Sequence, residues 1–245
     1  MNIQASSSLA EIVTKNFRAA TVFEKYQLDY CCKGKRSLQD ACMEKSLALQ
    51  TILDELQSAE KPNQNPEYSF PFDRLSLGNL IDFIQENHHS FVRRELPRLL
   101  SFTEKISSKH GHRHPELNKI HELVLILESD LRAHLDIEDK RVFPKIREME
   151  EFVNNPSGKS IHAIVSFETQ FKNLEEDHDK AGFLLGEVRK LTNNFTPPVD
   201  ACITYKLAFS SLEAFETDLH HHVHLENNLL IPKTLEMYRG IIGRL

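Results

Sequence analysis

Two histidine–glutamate pairs in the second half of the chain have the spacing of metal ligands on helices. His134 lies one helical turn before Glu138, and His222 lies one turn before Glu226, so each pair projects from one side of a helix. In both segments a proline follows the glutamate by six residues and a lysine follows the proline. The repetition indicates two similar helices that present the same pair of side chains.

Further histidines extend this pattern to four helices. Residues His89, His134, His178 and His222 recur at steps of 44 or 45 residues, about the length of one helix and one loop. Such a step returns each imidazole to a similar height in an antiparallel bundle. The apolar pattern around the first of these sites centres nearer His88 than His89, so both remain candidates on periodicity alone.

The two glutamates take positions at which an ordinary bundle would have leucine or isoleucine. A buried carboxylate without a compensating charge costs several kcal/mol, so a cation is the simplest partner. Mixed imidazole and carboxylate ligands favour iron or manganese over a closed thiolate zinc site. Six ligands exceed one tetrahedral set, so we expect two ions bridged by the glutamates. The candidate ligands are His89, His134, Glu138, His178, His222 and Glu226.

Four amphipathic segments must position these ligands. Apolar residues recur every three or four positions from about Asp73 to Ser107 and through three later segments. The connections at 110–115, 154–159 and 193–198 contain the glycine, proline and asparagine residues that end helices. The sequence therefore predicts an all-α protein with an up-down four-helix bundle at residues 73–245.

A small helical domain is predicted before the bundle, at residues 1–60. Its expected helices are Leu9–Tyr26, Ser37–Glu44 and Ala48–Ser58. A polar stretch with two prolines follows, and we interpret residues 61–72 as a linker.

The N-terminal domain contains two adjacent cysteines, Cys31 and Cys32. Adjacent cysteines can close only a strained ring, so a disulfide between them is not expected. The basic neighbours Lys33, Lys35 and Arg36 are expected to lower the thiol pKa. A reactive thiol pair of this kind would suit exchange with another molecule or transient iron binding.

Composition excludes several other functions. The net charge of −6 is spread along the 245 residues, so nucleic-acid binding is not expected. No apolar run reaches the length of a membrane span, and the N-terminus lacks the features of a signal peptide. These features predict a cytoplasmic protein without a membrane partner.

The other histidines and cysteines are given structural interpretations. The cluster at His110, His112 and His114 is expected in a solvated loop, and His220, His221 and His224 are expected at the bundle edge or in solvent. Cys42 and Cys202 are expected to be buried or incidental thiols.

Several of these motifs together resemble the repair-of-iron-centres family, whose members carry a haemerythrin-like domain. They are His134-x-x-x-Glu138, the run Asp177–Gly182, His222-x-x-x-Glu226-Asn-Asn and the N-terminal segment Phe23–Leu38 with its vicinal cysteines. The resemblance covers nearly the whole chain. Lys33 is one departure, at a position where close relatives usually have glycine.

The resemblance implies a haemerythrin-like bundle with two non-haem iron ions that helps to repair iron–sulfur clusters damaged by nitrosative or oxidative stress. It implies donation of labile iron, binding or reduction of nitric oxide, damaged iron–sulfur proteins as clients, and oxygen or a second copy of the chain as further partners. The family pattern of histidine followed seven residues later by Leu-Pro selects His89 over His88. It leaves open whether the protein is an enzyme.

Two alternatives remain from the sequence. One is a haemerythrin-like oxygen or redox sensor or carrier without repair activity, which would not need the cysteine domain. The other is a metal-free helical adaptor.

Overall fold

The computed structural model describes residues 3–59, 71–155 and 167–242. Across these ranges the regular structure is helical. The helices are α1 (Leu9–Lys15), α2 (Ala19–Lys25), α3 (Leu38–Glu44), α4 (Leu49–Ala59), α5 (Leu77–Phe83), α6 (Ser90–His110), α7 (Glu116–Ile137), α8 (Phe143–Asn154), α9 (Phe167–Leu191), α10 (Ile203–Leu225) and α11 (Ile231–Ile242), with a short 3₁₀ turn at Phe72–Arg74. None of the helices in these ranges is long and apolar enough to cross a membrane.

The chain forms two compact units. The larger unit is Ile81–Leu219, and the smaller unit combines the chain up to Leu80 with the chain from His220 onward. Most of the expected linker at 61–72, and most of the expected connection at 154–159, lies outside the described residues.

The larger unit contains most of the four-helix bundle that the sequence predicts at residues 73–245. Helix α6 packs on α7, and α7 packs on α9. Helix α10 joins them through the ring contact of Phe91 with Phe215 and through the ion pair of Arg189 with Glu216, in which the guanidinium Nε donates over 2.8 Å. Apolar side chains from all four helices are fully buried in the core, among them Leu99, Leu127, Leu185 and Leu212. The amphipathic stripes thus bury one another, as their period predicts.

Within the described ranges, three π-helical turns interrupt the long helices. They are Ile84–His89 between α5 and α6, Glu138–Val142 between α7 and α8, and Glu226–Leu230 between α10 and α11. Pro144 and Pro232 explain two of them, because a proline has no N–H for the carbonyl four residues earlier and its ring crowds that carbonyl. The helix accommodates this by widening for one turn.

The N-terminal part of the smaller unit consists of short helices rather than the long first helix that the sequence predicts. The expected helix Leu9–Tyr26 is wrong, because the chain is extended at Asn16 and divides there into α1 and α2. The Asn16 carboxamide accepts a hydrogen bond from the Arg18 N–H over 3.2 Å, which competes with helix continuation. Helix α3 begins where expected, with the Ser37 side chain capping it by accepting from the Asp40 N–H.

Candidate metal centre

Glu138 lies between two imidazoles in the larger unit. Its Oε2 is 3.4 Å from Nε2 of His89, and its Oε1 is 3.3 Å from Nε2 of His134. His178 completes the group, with its Nε2 3.0 Å from Nε2 of His134. All four side chains are no more than 3% exposed. One carboxylate therefore offers each of its oxygens to a different histidine, which is the arrangement of a bridging ligand.

The imidazoles of His89 and His134 each have a further carboxylate at the other ring nitrogen, Nδ1. Asp139 Oδ1 is 2.9 Å from Nδ1 of His89, and Asp177 Oδ2 is 3.2 Å from Nδ1 of His134. Burial would raise the pKa of Asp139, but hydrogen bonds from His89 and Gln85 hold that pKa well below its ordinary value of 3.8. The pKa of Asp177 is also lowered, chiefly by its hydrogen bond with His134. Ionised carboxylates at Nδ1 assign the ring proton to Nδ1 in neutral imidazoles.

That proton assignment turns the Nε2 lone pairs toward Glu138. A lone pair that faces a carboxylate oxygen, or a second lone pair, is repelled unless a proton or a metal ion lies between them. Imidazole Nε2 with carboxylate oxygen is a ligand set that suits first-row metals. A carboxylate on the other ring nitrogen is the usual support of a metal-bound histidine. The donor set of the larger unit therefore fits a non-haem metal ion.

The smaller unit contains the second histidine–glutamate pair. His222 lies in the last turn of α10, and Glu226 begins the π turn that follows. Nε2 of His222 is 3.0 Å from Oε1 of Glu226, and the two side chains are 1% and 2% exposed. The pair repeats the relation of His134 to Glu138, in which a histidine precedes a glutamate that opens a π turn.

The structure separates the two histidine candidates of the first helix. His89 faces Glu138, whereas Nδ1 of His88 lies 3.0 Å from Oδ1 of Asp218. The helical wheel that centres near His88 assumes a regular α-helix, and this stretch of chain is a π turn instead. The π turn Ile84–His89 adds one residue to the turn, and both histidines on it are buried with different partners.

The cysteine pair is not in the basic environment that the sequence predicts. Asp29 Oδ1 accepts hydrogen bonds from the Cys32 N–H over 2.9 Å and the Cys31 thiol over 3.4 Å. The hydrogen bond to Cys32, burial and the charge of Asp29 raise the pKa of Cys31 well above its ordinary value. The expected lowering is therefore wrong for Cys31, because Lys33 is exposed and Arg36 pairs with Glu44 instead.

The second half of α10 carries three further histidines, and the expectation of solvent or the bundle edge is wrong for His224, whereas His220 and His221 are partly exposed. His224 is fully buried, and burial lowers its pKa to about 4. Its ring packs at 5.6 Å from the Tyr30 ring, and the ring of His221 lies 4.7 Å from that of Phe17. Nδ1 of His220 is 2.7 Å from a carboxylate oxygen of Glu24, at the end of α2. These three histidines therefore contact the N-terminal part of the smaller unit.

The loop with the cysteines is fastened to the same stretch of chain. The Asn228 side chain donates to the Cys31 carbonyl over 3.1 Å, and it lies 3.2 Å from Nδ1 of His224. Asn228 is two residues beyond Glu226. The residue that binds the cysteine loop and the predicted ligand therefore lie on the same π turn. The sequence shows Glu226-Asn-Asn as a motif, but it does not show what the second asparagine binds.

The remaining thiols and the 110–114 cluster differ in their surroundings. Cys42 is buried as expected, and burial raises its pKa. Cys202 is half-buried, with Nε2 of His110 3.2 Å from its Sγ, a pair that the sequence reasoning missed. His112 is exposed as expected, while His114 lies 3.1 Å from Asp200.

Comparison with known proteins matches the two parts of the chain to two families. Residues 5–60 match a Domain of Unknown function (DUF542), and residues 80–234 match the Hemerythrin HHE cation binding domain. Similar proteins extend over both parts. An iron-sulfur cluster repair protein ScdA of Staphylococcus haemolyticus is 31% identical, covering 94% of this chain and 99% of its own. A probable iron-sulfur cluster repair protein of Haemophilus influenzae is 33% identical (94% and 97%), and a YtfE repair protein of an Enterobacter species is 32% identical (93% and 96%).

Proposed function

Because the chain belongs to the family of the iron-sulfur cluster repair proteins ScdA and YtfE, with a haemerythrin HHE cation-binding domain, we propose that it repairs damaged iron–sulfur clusters as an iron-binding protein. The observation that carries this proposal is Glu138, with an imidazole at each carboxylate oxygen and a carboxylate behind each imidazole. The match of relatives to the N-terminal part as well favours repair over a sensor or carrier that needs only the bundle.

The proposed centre holds two iron ions. Its ligands are His89, His134, Glu138, His178, His222 and Glu226. When bound, iron would supply one-electron and Lewis-acid chemistry. Glu138 and Glu226 would supply negative charge to the ions, while Asp139 and Asp177 accept the Nδ1–H of His89 and His134 and fix the direction of the Nε2 lone pairs. The apolar bundle around them excludes water, and the ring of Phe143 stacks 5.4 Å from that of His89.

The cysteine pair is proposed as the thiol group that meets a client. Cys32, burial and Asp29 raise the pKa of Cys31, so this thiol stays protonated at neutral pH. Cys32 is the more exposed of the two and is the one that a client's iron or thiol would reach first. Soft sulfur donors suit transient iron binding. The Asn228 hydrogen bond to the Cys31 carbonyl keeps this loop on the π turn that begins with Glu226.

Further details of the proposal come from the family resemblance. They are donation of labile iron, nitric oxide or oxygen at an open iron position, a role in the nitrosative stress response and a homodimeric state. A cytoplasmic location is proposed from the sequence composition. The division into domain 1–60, linker 61–72 and bundle 73–245 is also a proposal, and the structure groups the chain from His220 onward with the N-terminal part.

The test is iron delivery to a defined iron–sulfur protein whose cluster has been damaged by nitric oxide. The full iron-loaded chain should restore the client's activity, and its own iron should fall as the client's rises. Cys31→Ser with Cys32→Ser should retain iron but slow repair strongly, whereas Cys42→Ser, a buried thiol in the same domain, should repair like the wild type. Repair at the wild-type rate by the double variant would remove the cysteines from the proposal. No iron transfer by the wild type would contradict the repair function itself.

A further inference from the structure

We propose that Cys202 and His110 form a second thiol site, which exchanges with small anionic disulfides. Both residues belong to the larger unit: His110 is the last residue of α6, and Cys202 directly precedes α10. Their Nε2 and Sγ atoms are 3.2 Å apart, within hydrogen-bond reach for sulfur. A thiol beside an imidazole is the arrangement of an activated nucleophile with its base.

The imidazole of His110 is held in place by aromatic packing. The Tyr205 ring lies 5.6 Å from that of His110 and 5.7 Å from that of His114. His114 is itself anchored by Asp200 and by Glu116, at 3.1 and 3.3 Å. The base is therefore fixed between the end of α6 and the start of α10, with its Nε2 directed at the thiol.

A cavity of about 450 Å³ opens beside the pair. This volume is within the range of small-molecule sites. Cys202 and His110 line it together with Lys105, Lys109 and Glu104. Two ammonium groups against one carboxylate leave a positive balance at the cavity wall, which favours a ligand with carboxylates of its own.

The exchange reaction needs no oxidant beyond the disulfide itself. His110 Nε2 takes the Cys202 proton, and the thiolate attacks one sulfur of the disulfide. The sulfur–sulfur bond of the ligand breaks as the bond to Cys202 forms, and the leaving thiolate takes the electron pair. The proton on His110 then passes to that thiolate. The products are a mixed disulfide on Cys202 and one small thiol.

Cys202 differs from the two buried thiols, Cys31 and Cys42, in its access to a ligand. Cys42 is buried with a raised pKa, and Cys31 is buried with a pKa raised by Cys32, burial and Asp29. Cys202 is half-buried at a cavity with a base in contact. The site is also distinct from the proposed metal centre, since neither residue is among its ligands.

The experiment follows mixed-disulfide formation at each cysteine of the full chain by peptide mass spectrometry. The probes are glutathione disulfide, which is anionic, and bis(2-hydroxyethyl) disulfide, which is neutral. Cys202 should react with glutathione disulfide faster than Cys42 of the same molecules. His110→Ala should slow Cys202 about tenfold or more, and free imidazole in the buffer should restore part of the rate. Imidazole rescue would not follow from a merely structural role of His110.

The lysines are tested separately. Lys105→Ala with Lys109→Ala should slow the anionic probe about threefold or more while leaving the neutral probe unchanged. Should His110→Ala fail to fold, His110→Gln serves in its place, with helix content measured by circular dichroism. A Cys202 rate that does not depend on His110 would overturn the proposal. Equal effects of the lysine variant on both probes would overturn the assignment to anionic disulfides.

Discussion

The carboxylate behind His89 should determine how tightly the centre holds iron. Asp139 accepts hydrogen bonds from Nδ1 of His89 over 2.9 Å, from Gln85 over 2.7 Å and from Arg93 over 2.6 Å. Asp139→Asn keeps an oxygen that His89 can use but removes the negative charge. Loss of such an outer partner lowers metal affinity roughly 10- to 100-fold, which is about 1.4 to 3 kcal/mol.

The exposure of the two outer carboxylates, Asp139 and Asp177, determines which of them should affect iron affinity more. The Asp139 side chain is 18% exposed, whereas that of Asp177 is 52% exposed and is screened by solvent. We therefore expect Asp139→Asn to approach the upper end of this range and Asp177→Asn to stay near the lower end. Asp136→Asn is the matched control, because Asp136 is exposed and pairs with Lys140 rather than with a histidine.

The assay is competition for iron between each variant and a chelator of known affinity at fixed pH. Thermal unfolding of the metal-free proteins should be recorded in parallel, so that loss of affinity is not confused with loss of fold. Wild-type affinity in Asp139→Asn would refute the reasoning. So would an equal loss in Asp136→Asn, because the effect would then be one of net charge alone.

Other perturbations of the buried charges, of pH and of two glycines have defined outcomes. Glu138→Leu should lose iron, yet its metal-free form should unfold at or above the wild-type temperature, since leucine removes a buried charge; loss of helix content would contradict this. Because burial holds the pKa of His224 at about 4, below the 6.5 of the unfolded chain, stability should fall by about 3 kcal/mol as pH drops from 6.5 to 4. In urea unfolding, His224→Gln should reduce this slope, and an unchanged slope would exclude His224 as its source. Gly34→Ala should destabilise the protein by about 1 to 3 kcal/mol, because the new Cβ would lie 2.3 Å from the Tyr30 carbonyl oxygen. Gly186→Ala in α9 is the matched control: a Cβ there has open space, so this change should stabilise the protein by up to about 1 kcal/mol. Thermal unfolding measures both effects.

The bundle could be predicted from the sequence because its signal is local. Helical period, loop residues and the replacement of core leucines by His134, Glu138 and their counterparts are all visible within one segment. The π turns were missed, although Pro144 and Pro232 stand six residues after a glutamate in both segments and supply a signal. The turn Ile84–His89 has no proline at the equivalent place, so the choice between its two histidines could not come from periodicity.

The environments of the cysteines could not be predicted, because they depend on residues brought close by folding. Basic neighbours in sequence suggested an acidic thiol at Cys31, but the group that faces this thiol is Asp29. Cys202 and His110 are 92 positions apart, and only packing of α10 against α6 brings them together. Sequence proximity is a poor guide to electrostatics where exposed side chains turn into solvent.

Iron content of two neighbouring variants tests the central claim most directly. His88→Ala and His89→Ala change adjacent histidines on one π turn, of which only His89 faces Glu138. After reconstitution with ferrous iron and gel filtration, the wild type and His88→Ala should each carry about two irons per chain, and His89→Ala should carry markedly less. Full iron content in His89→Ala, or no bound iron in the wild type, would contradict the proposed centre.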